Sequence, residues 1–198
     1  MNDLKDELRE RILILDGGMG TMIQQYNLKE EDYRGKNFQH LKGQQKGNND
    51  LLTLTQPHII REIHQKYLEA GADIIETCSF NSQRISMSEY GLTDKVKELN
   101  AAAAQIARSI ADEYTQKNPK KPRFVVGSIG PTNKTCSISP DVNNPALRNI
   151  SFRDLYLAYK EQMEALVVNG VDALLIETIF DTLNAKAAIF AANEVIEN

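Results

Sequence analysis

Four short runs of apolar residues recur along the chain and predict buried β-strands. The runs are nearly continuous and rich in β-branched residues, a pattern typical of parallel strands that are covered on the outside. The predicted strands comprise residues 11–15, 73–77, 123–128 and 171–177.

Amphipathic stretches lie between and after these runs and predict four helices. Pro57 suits the first turn of a helix, and Ser151 suits an N-cap. Gly71 and Gly170 supply the left-handed residue that ends a helix. The predicted helices comprise residues 57–70, 94–114, 152–168 and 184–195.

An internal repeat strengthens this alternating pattern. Residues 69–77 and 168–178 each contain a helix end, a strand and then Glu-Thr. Repeated β/α units imply parallel strands with right-handed crossovers, as in a doubly wound sheet or a (β/α)₈ barrel. A complete barrel usually needs ~250 residues. Four units in 198 residues therefore indicate an open sheet or half of a barrel.

A polar insertion at about residues 27–50 follows the first unit. Loops of this length are often functional lids or excursions over the surface.

Composition and charge narrow the functional classes. The chain is 41% hydrophobic and 25% charged, as in soluble globular proteins. A net charge of −4 provides no basic field for nucleic acid. The longest apolar stretches have the length of strands, so we expect neither a signal peptide nor a membrane span. These features favour a cytoplasmic protein with a small-molecule partner.

The cysteines and histidines predict no metal site within this chain. Cys78 and Cys136 are the two cysteines, which fits a reducing compartment and excludes a disulfide framework. Three histidines are present, but His58 and His64 would point to different sides of a helix.

Small and polar residues follow each predicted strand, where ligands gather in parallel α/β folds. The first strand leads into Asp16-Gly17-Gly18. Glycine lets a ligand approach the backbone, and the N-terminus of a following helix favours an anion. The alternative is a tight turn in which Asp16 caps that helix.

Glu76 and Glu177 each end an apolar strand, where a buried carboxylate needs a partner. For Glu76 the favoured interpretation is a structural ion pair or a helix cap. Glu177 fits such a role or contact with a ligand ammonium equally well. If the strand ends are adjacent, Asp16, Glu177 and the glycine backbone form a pocket suited to the zwitterionic end of an amino acid.

The residues after the four strands resemble the homocysteine S-methyltransferase family. The resemblance extends in order over the chain after about residue 10. Residues 132–152 and 180–188 are further similar to the amino-terminal module of the cobalamin-dependent methionine synthases of that family. The four segments that carry the family resemblance are Leu-Asp-Gly-Gly-Met-Gly-Thr at 15–21, Gly-Ala-Asp-Ile-Ile-Glu-Thr at 71–77, Gly-Ser-Ile-Gly-Pro-Thr-Asn at 127–133 and Val-Asp-Ala-Leu-Leu-Ile-Glu-Thr at 171–178.

The resemblance implies a fold and an activity. The fold is a (β/α)₈ TIM barrel, of which this chain covers about the first four units. In the full-length enzyme, homocysteine sulfur binds zinc and takes a methyl group from methylcobalamin, which 5-methyltetrahydrofolate regenerates. The zinc-binding cysteines of the family belong to later strands, so we expect no catalytic residue, metal or cofactor in this segment. The folate, cobalamin and reactivation domains are absent, and the segment alone is expected to be inactive.

The same resemblance implies roles for individual residues. Cys78 and Cys136 receive no role. The positions that match the substrate-binding site are Asp16, Gly17, Gly18, Thr21 and Glu177, with Ser128 and Gly130 as candidate wall residues.

Two other functions remain open at this point. One is a cobalamin-independent homocysteine S-methyltransferase, and the other is a non-catalytic half-barrel that only binds the amino acid. Half a barrel would also expose strand edges and apolar inner-face residues, which invites self-association. We expect this open face near Ile14, Ile75, Val126 and Ile176.

Overall fold

A computed structural model describes residues 3–197, in which helices alternate with parallel strands. Short 3₁₀ turns lie at Asn49–Leu51, Ser88–Tyr90 and Thr93–Lys95. The strands are β1 (Ile74–Glu76), β2 (Phe124–Ile129) and β3 (Ala173–Ile176). The helices are α1 (Leu4–Glu10), α2 (Met19–Gln24), α3 (Glu30–Arg34), α4 (Leu52–Thr55), α5 (Pro57–Ala70), α6 (Arg84–Met87), α7 (Val96–Lys117), α8 (Phe152–Val168) and α9 (Thr182–Glu197).

The helix ends follow the predicted signals. Pro57 occupies the first turn of α5, and Gly71 ends that helix with a φ of 111°. Ser151 and Asp154 form a reciprocal capping box at the start of α8. Within residues 3–197, no helix is both long and apolar enough to cross a membrane.

The sheet is parallel and its strands lie in the order β1-β2-β3. The predicted first strand, residues 11–15, is reduced to one parallel bridge between Leu15 and Ile74 on the outer side of β1. The Asp73 carboxylate accepts a hydrogen bond from the Ile14 N–H at 2.9 Å. A side-chain oxygen thus takes the place of a backbone carbonyl in the pairing. Strand order in space thus follows strand order in the chain.

One face of the sheet packs against the helices. Ile75 is fully buried in a cluster that contains Leu68 of α5 and Ile110 of α7. Ile176 packs against the cluster formed around Ile129 and helices α8 and α9. The prediction that Ile75 and Ile176 face the open side is therefore wrong, because side chains alternate along a strand and these two point toward the helices.

The register of the strands shows which residues lie on the face of the sheet opposite the helices. Glu76 pairs with Val126 and Ser128 pairs with Leu175. With Glu177, two positions beyond Leu175, these residues share the face away from the helices. Polar groups thus collect near the carboxyl ends of the strands on this face.

The polar insertion is an ordered segment that returns to the sheet. The Glu30 carboxylate accepts hydrogen bonds from the backbone N–H groups of Gln45 and Lys46, at 2.9 and 2.7 Å. The Arg34 guanidinium donates to the Leu41 carbonyl at 2.8 Å. These contacts hold the insertion together, and Asp50 at its end accepts a hydrogen bond from the Asn81 N–H in the loop that follows β1.

Candidate functional site

A cavity of about 280 Å³ lies at the carboxyl ends of the strands. Its walls come from the turn after Leu15, from the ends of β1, β2 and β3, and from the end of the insertion. The lining residues are Asp16, Gly17, Gly18, Met19, Gly20, Gly47, Asn49, Asp50, Glu76, Thr77, Cys78, Phe80, Asn81, Ser128 and Glu177.

Four acidic residues line this cavity, and three of them, Asp16, Glu76 and Glu177, lie together at the strand ends. The Glu76 N–H donates to Asp16 Oδ2 at 3.1 Å, and the other oxygen, Oδ1, is buried with no hydrogen-bond partner among the described residues. The Ser128 hydroxyl donates to Glu177 Oε1 at 2.5 Å. Asp16 and Glu177 therefore meet in one cavity, as the sequence pattern predicts.

Burial and mutual repulsion change the protonation of this cluster. Burial, followed by the charges of Glu177 and Asp16, raises the pKa of Glu76 to about 8. Burial, with a further contribution from Glu177, raises the pKa of Asp16 to about 7. The cluster therefore retains protons near neutral pH.

Glu76 differs from the expectation of a structural ion pair or a helix cap. Within residues 3–197 no salt bridge includes Glu76. Its carboxylate lines the cavity beside the other two. The repeated Glu-Thr pair at both strand ends is the sequence signal that marks Glu76 as equivalent to Glu177.

The glycine turn after the first strand forms one wall of the cavity. A Cβ on Gly17 would lie 3.2 Å from the Tyr67 hydroxyl, so a side chain there would be crowded. That hydroxyl donates to the Gly18 carbonyl at 3.3 Å. Thr21 lies on the six-residue helix α2, is exposed, and is not among the lining residues.

The two candidate wall residues at the end of β2, Ser128 and Gly130, occupy different positions. Ser128 is buried and lines the cavity. Gly130 lies outside the lining, and its N–H donates to the Phe80 carbonyl at 3.0 Å. A Cβ on Gly130 would lie 2.5 Å from that carbonyl oxygen, so this glycine allows two backbone segments to pass closely.

Sequence reasoning missed the wall that the insertion contributes. Asp50 is buried and accepts hydrogen bonds from the Asn81 N–H at 2.7 Å and the Ser82 hydroxyl at 3.0 Å. Burial raises the pKa of Asp50 to about 6 despite these bonds. The Cys78 thiol donates to the Asn49 carbonyl at 3.6 Å. A buried acid at the end of a polar loop is a signal, but its partners are not readable from the sequence.

The backbone after β3 is strained at the cavity. Thr178 directly follows Glu177 and has a φ of 54°, in the left-handed region. A β-branched residue seldom adopts this conformation, and such strain concentrates at ligand sites.

Family comparison adds to this geometry. Residues 13–197 match the family described as homocysteine S-methyltransferase. This chain belongs to the homocysteine S-methyltransferase family. The match includes Asp16, Glu76 and Glu177 and the glycine turn.

Solved structures of a homocysteine methyltransferase share the fold. The metallated form of MmuM from Escherichia coli has 22% sequence identity and a TM-score of 0.73 over 98% of this chain and 63% of its own. The oxidized form has 24% identity and a TM-score of 0.74 over 98% and 62%. The chain thus spans about three fifths of the length of these solved structures.

The described residues of this family member do not fit a zinc ion. Residues 3–197 contain no group of three or more His, Cys, Asp or Glu side chains arranged to hold a metal. Cys78 and Cys136 are both buried and free, and burial raises the pKa of each thiol, which disfavours the thiolate that zinc requires.

Proposed function

We propose that this chain supplies the homocysteine-binding subsite of a methyltransferase and forms the first four units of a (β/α)₈ barrel. The observation that supports this most directly is the convergence of Asp16, Glu76 and Glu177 in one cavity. No lysine, arginine or histidine is present among the described residues that line it. An amino acid ligand brings the missing positive charge in its ammonium group.

Individual residues receive roles in this proposal. The unpartnered Oδ1 of Asp16 and the carboxylate of Glu177 accept hydrogen bonds from the ligand ammonium. The backbone at Gly17 and Gly18 receives the ligand carboxylate. Thr21, which lies outside the cavity lining, would act only as part of the helix that follows this turn. Ser128 orients Glu177 through its hydroxyl, and Gly130 holds the end of β2 against Phe80.

We further propose a cobalamin-dependent methionine synthase as the full-length enzyme. The similarity of residues 132–152 and 180–188 to its amino-terminal module supports this assignment. Zinc in such an enzyme activates the homocysteine thiol, and its ligands would come from the later barrel strands. Cobalamin and 5-methyltetrahydrofolate would bind to further domains. This segment would bind and orient the amino acid, and we expect it to be inactive on its own. We also expect the full-length enzyme to be cytoplasmic.

Binding to the purified chain tests the amino acid subsite. We expect homocysteine to bind and 4-mercaptobutanoate, which lacks the ammonium group, to bind far more weakly. Glu177→Gln should weaken homocysteine binding by about 10- to 100-fold, because hydrogen bonds to charged groups contribute about 1.5–3 kcal/mol. Isothermal titration calorimetry measures both effects.

The control is Glu10→Gln, which removes an exposed carboxylate from α1. It should bind homocysteine as the unmodified chain does. Equal binding of homocysteine and 4-mercaptobutanoate, or an unchanged affinity in Glu177→Gln, would contradict the proposed subsite.

The methyl donor separates the two enzymatic alternatives. In the full reading frame, methylcobalamin should support methionine formation with methyltetrahydrofolate as the ultimate donor. Activity with a sulfonium donor and no cobalamin would instead identify the cobalamin-independent enzyme. Absence of activity in the full reading frame, with homocysteine binding retained, would identify a binding protein.

A further inference from the structure

The carboxylate cluster in the cavity has an unbalanced charge. Asp16, Glu76 and Glu177 lie together, and the lining described above includes no cationic side chain. Three neighbouring carboxylates in a partly buried site cannot all ionise without a large cost, because desolvation and like charges both oppose ionisation. The empty cavity must therefore differ from the occupied one in its bound protons.

We infer that the empty cavity holds a proton on Glu76, and that a ligand ammonium entering the cluster displaces this proton into solvent. One positive charge replaces another, so the net charge of the site is conserved. The inference rests on the proposed amino acid subsite and adds a third carboxylate to it. It also makes ligand binding dependent on pH.

The hydrogen bonds indicate which carboxylate holds the proton. Asp16 accepts a backbone N–H and Glu177 accepts the Ser128 hydroxyl, and both bonds stabilise an ionised carboxylate. The Glu76 carboxyl instead shares a hydrogen bond with the Glu177 carboxyl, which requires a proton between them and favours the protonated form of Glu76. Burial and both neighbouring charges act on Glu76 in the same direction, and all of them favour its protonated form.

The other titratable groups around the cavity do not supply a counter-charge. Tyr67 approaches from α5, and burial followed by the charges of Asp16 and Glu76 raises its pKa. Cys78 follows β1, and its pKa is raised by burial and by Asp50. Asp50, from the insertion, is neutral or negative. Each of these groups is neutral or adds negative charge, so each favours retention of the proton.

Calorimetry with methionine tests the displacement directly. Methionine carries the same ammonium and carboxylate groups as homocysteine but no titratable thiol. Titrations in buffers of different ionisation enthalpy report the number of protons released. At pH 7 we expect release of close to one proton per methionine bound. Below pH 7, the affinity for methionine should increase by about tenfold for each unit by which the pH rises, since one proton is released on binding.

Glu76→Gln is the decisive variant. It preserves the size of the side chain but cannot lose a proton, so it should release clearly fewer protons than the unmodified chain on binding methionine, with a smaller rise in affinity with pH. The remaining release would come from Asp16. The exposed Glu10→Gln chain is the matched control and should release protons as the unmodified chain does.

A second measurement needs no ligand. Carboxyl ¹³C resonances of the empty chain, assigned with Glu76→Gln, should include one Glu signal that titrates above pH 6.5. That signal should be absent from the variant and present in the Glu10→Gln control.

The outcomes distinguish the two proposals. Failure of both homocysteine and methionine to bind at any pH would contradict the proposed function, while the ¹³C titration would still test the proton on Glu76. Binding without proton release, unchanged release in Glu76→Gln, or an ordinary titration of Glu76 near pH 4.5 would overturn the inference and leave the subsite intact.

Discussion

At the scale of single residues, the chain tolerates buried titratable groups for two different reasons. Asp16 and Glu76 lie in the cavity, where a ligand can compensate for their burial. His64 lies on α5, fully buried, and neither ring nitrogen has a hydrogen-bond partner among the described residues. Burial lowers the pKa of His64 to about 4. This histidine therefore remains neutral, and we assign it no functional role.

His64 makes the fold sensitive to acid. Its folded-state pKa lies below the unfolded value of 6.5, so the unfolded chain binds more protons and stability is lost as the pH falls from 6.5 to 4. His64→Leu should reduce this loss by about 2–3 kcal/mol. Urea denaturation at pH 7.5 and pH 4.5 measures the difference. An unchanged difference between the two pH values in His64→Leu would refute the assignment.

At the scale of elements, the helices with local end signals were more predictable than the first strand. Pro57, Gly71 and Ser151 act locally, so the predicted helices 57–70 and 152–168 coincide with α5 and α8. The apolar run at residues 11–15 predicts a full strand because it resembles the other three runs, but the structure contains a single bridge there. The pairing of this run combines backbone hydrogen bonds to residues 73 and 74 with a bond to the Asp73 carboxylate, 59 positions away from Ile14. Such long-range contacts cannot be inferred from a local pattern.

The same reasoning explains how much of the candidate site was predictable. Asp16 and Glu177 follow strands, and the carboxyl ends of parallel strands meet at one edge, so their proximity follows from the fold class. Asp50 and Asn81 are brought together by the path of the insertion, which no periodicity describes. Glu76 was misassigned because a strand-end carboxylate alone does not reveal whether a cation lies nearby.

The end of β2 depends on a close approach that only glycine permits. Gly130→Ala would place a methyl group 2.5 Å from the Phe80 carbonyl oxygen, and the backbone must move to relieve this contact. We expect a loss of about 1–3 kcal/mol in the free energy of unfolding. Thermal or urea denaturation measures it.

Gly20→Ala provides the contrast. Its added methyl group would lie 3.5 Å from the Asn49 amide, an ordinary contact, and alanine favours the helical conformation of α2. This variant should be as stable as the unmodified chain or more so. A Gly130→Ala chain of equal stability would show that the approach to Phe80 is not required.

At the scale of the whole molecule, the two outer edges of the strand array lie far apart in sequence. Ile12 and Ile14 are 90% and 60% exposed beside the first bridge, and Phe180 is 69% exposed beyond β3. Unpaired strand edges with apolar neighbours promote association. Two copies in which the first edge of each joins the last edge of the other would make this contact twice and form a two-fold symmetric pair.

We therefore expect the isolated chain to dimerise or aggregate at micromolar concentration. Ile12→Lys places a charge on the first edge and should weaken association by at least about tenfold, which corresponds to about 1.4 kcal/mol. Val142→Lys, in the exposed loop before α8, is the matched control, because Val142 is 91% exposed. Sedimentation velocity distinguishes the variants. A monodisperse, cooperatively melting monomer at high concentration would disprove this expectation.

The position of the three carboxylates along the chain also affects the order of events during synthesis. Asp16, Glu76 and Glu177 belong to the first, second and fourth of the predicted β/α units, which pack in chain order. As soon as residue 177 and the helix after it emerge from the ribosome, every acidic group of the cluster is available to fold. The cavity with these carboxylates therefore needs only the β/α units up to the helix that follows Glu177, and it can form once that helix has left the ribosome.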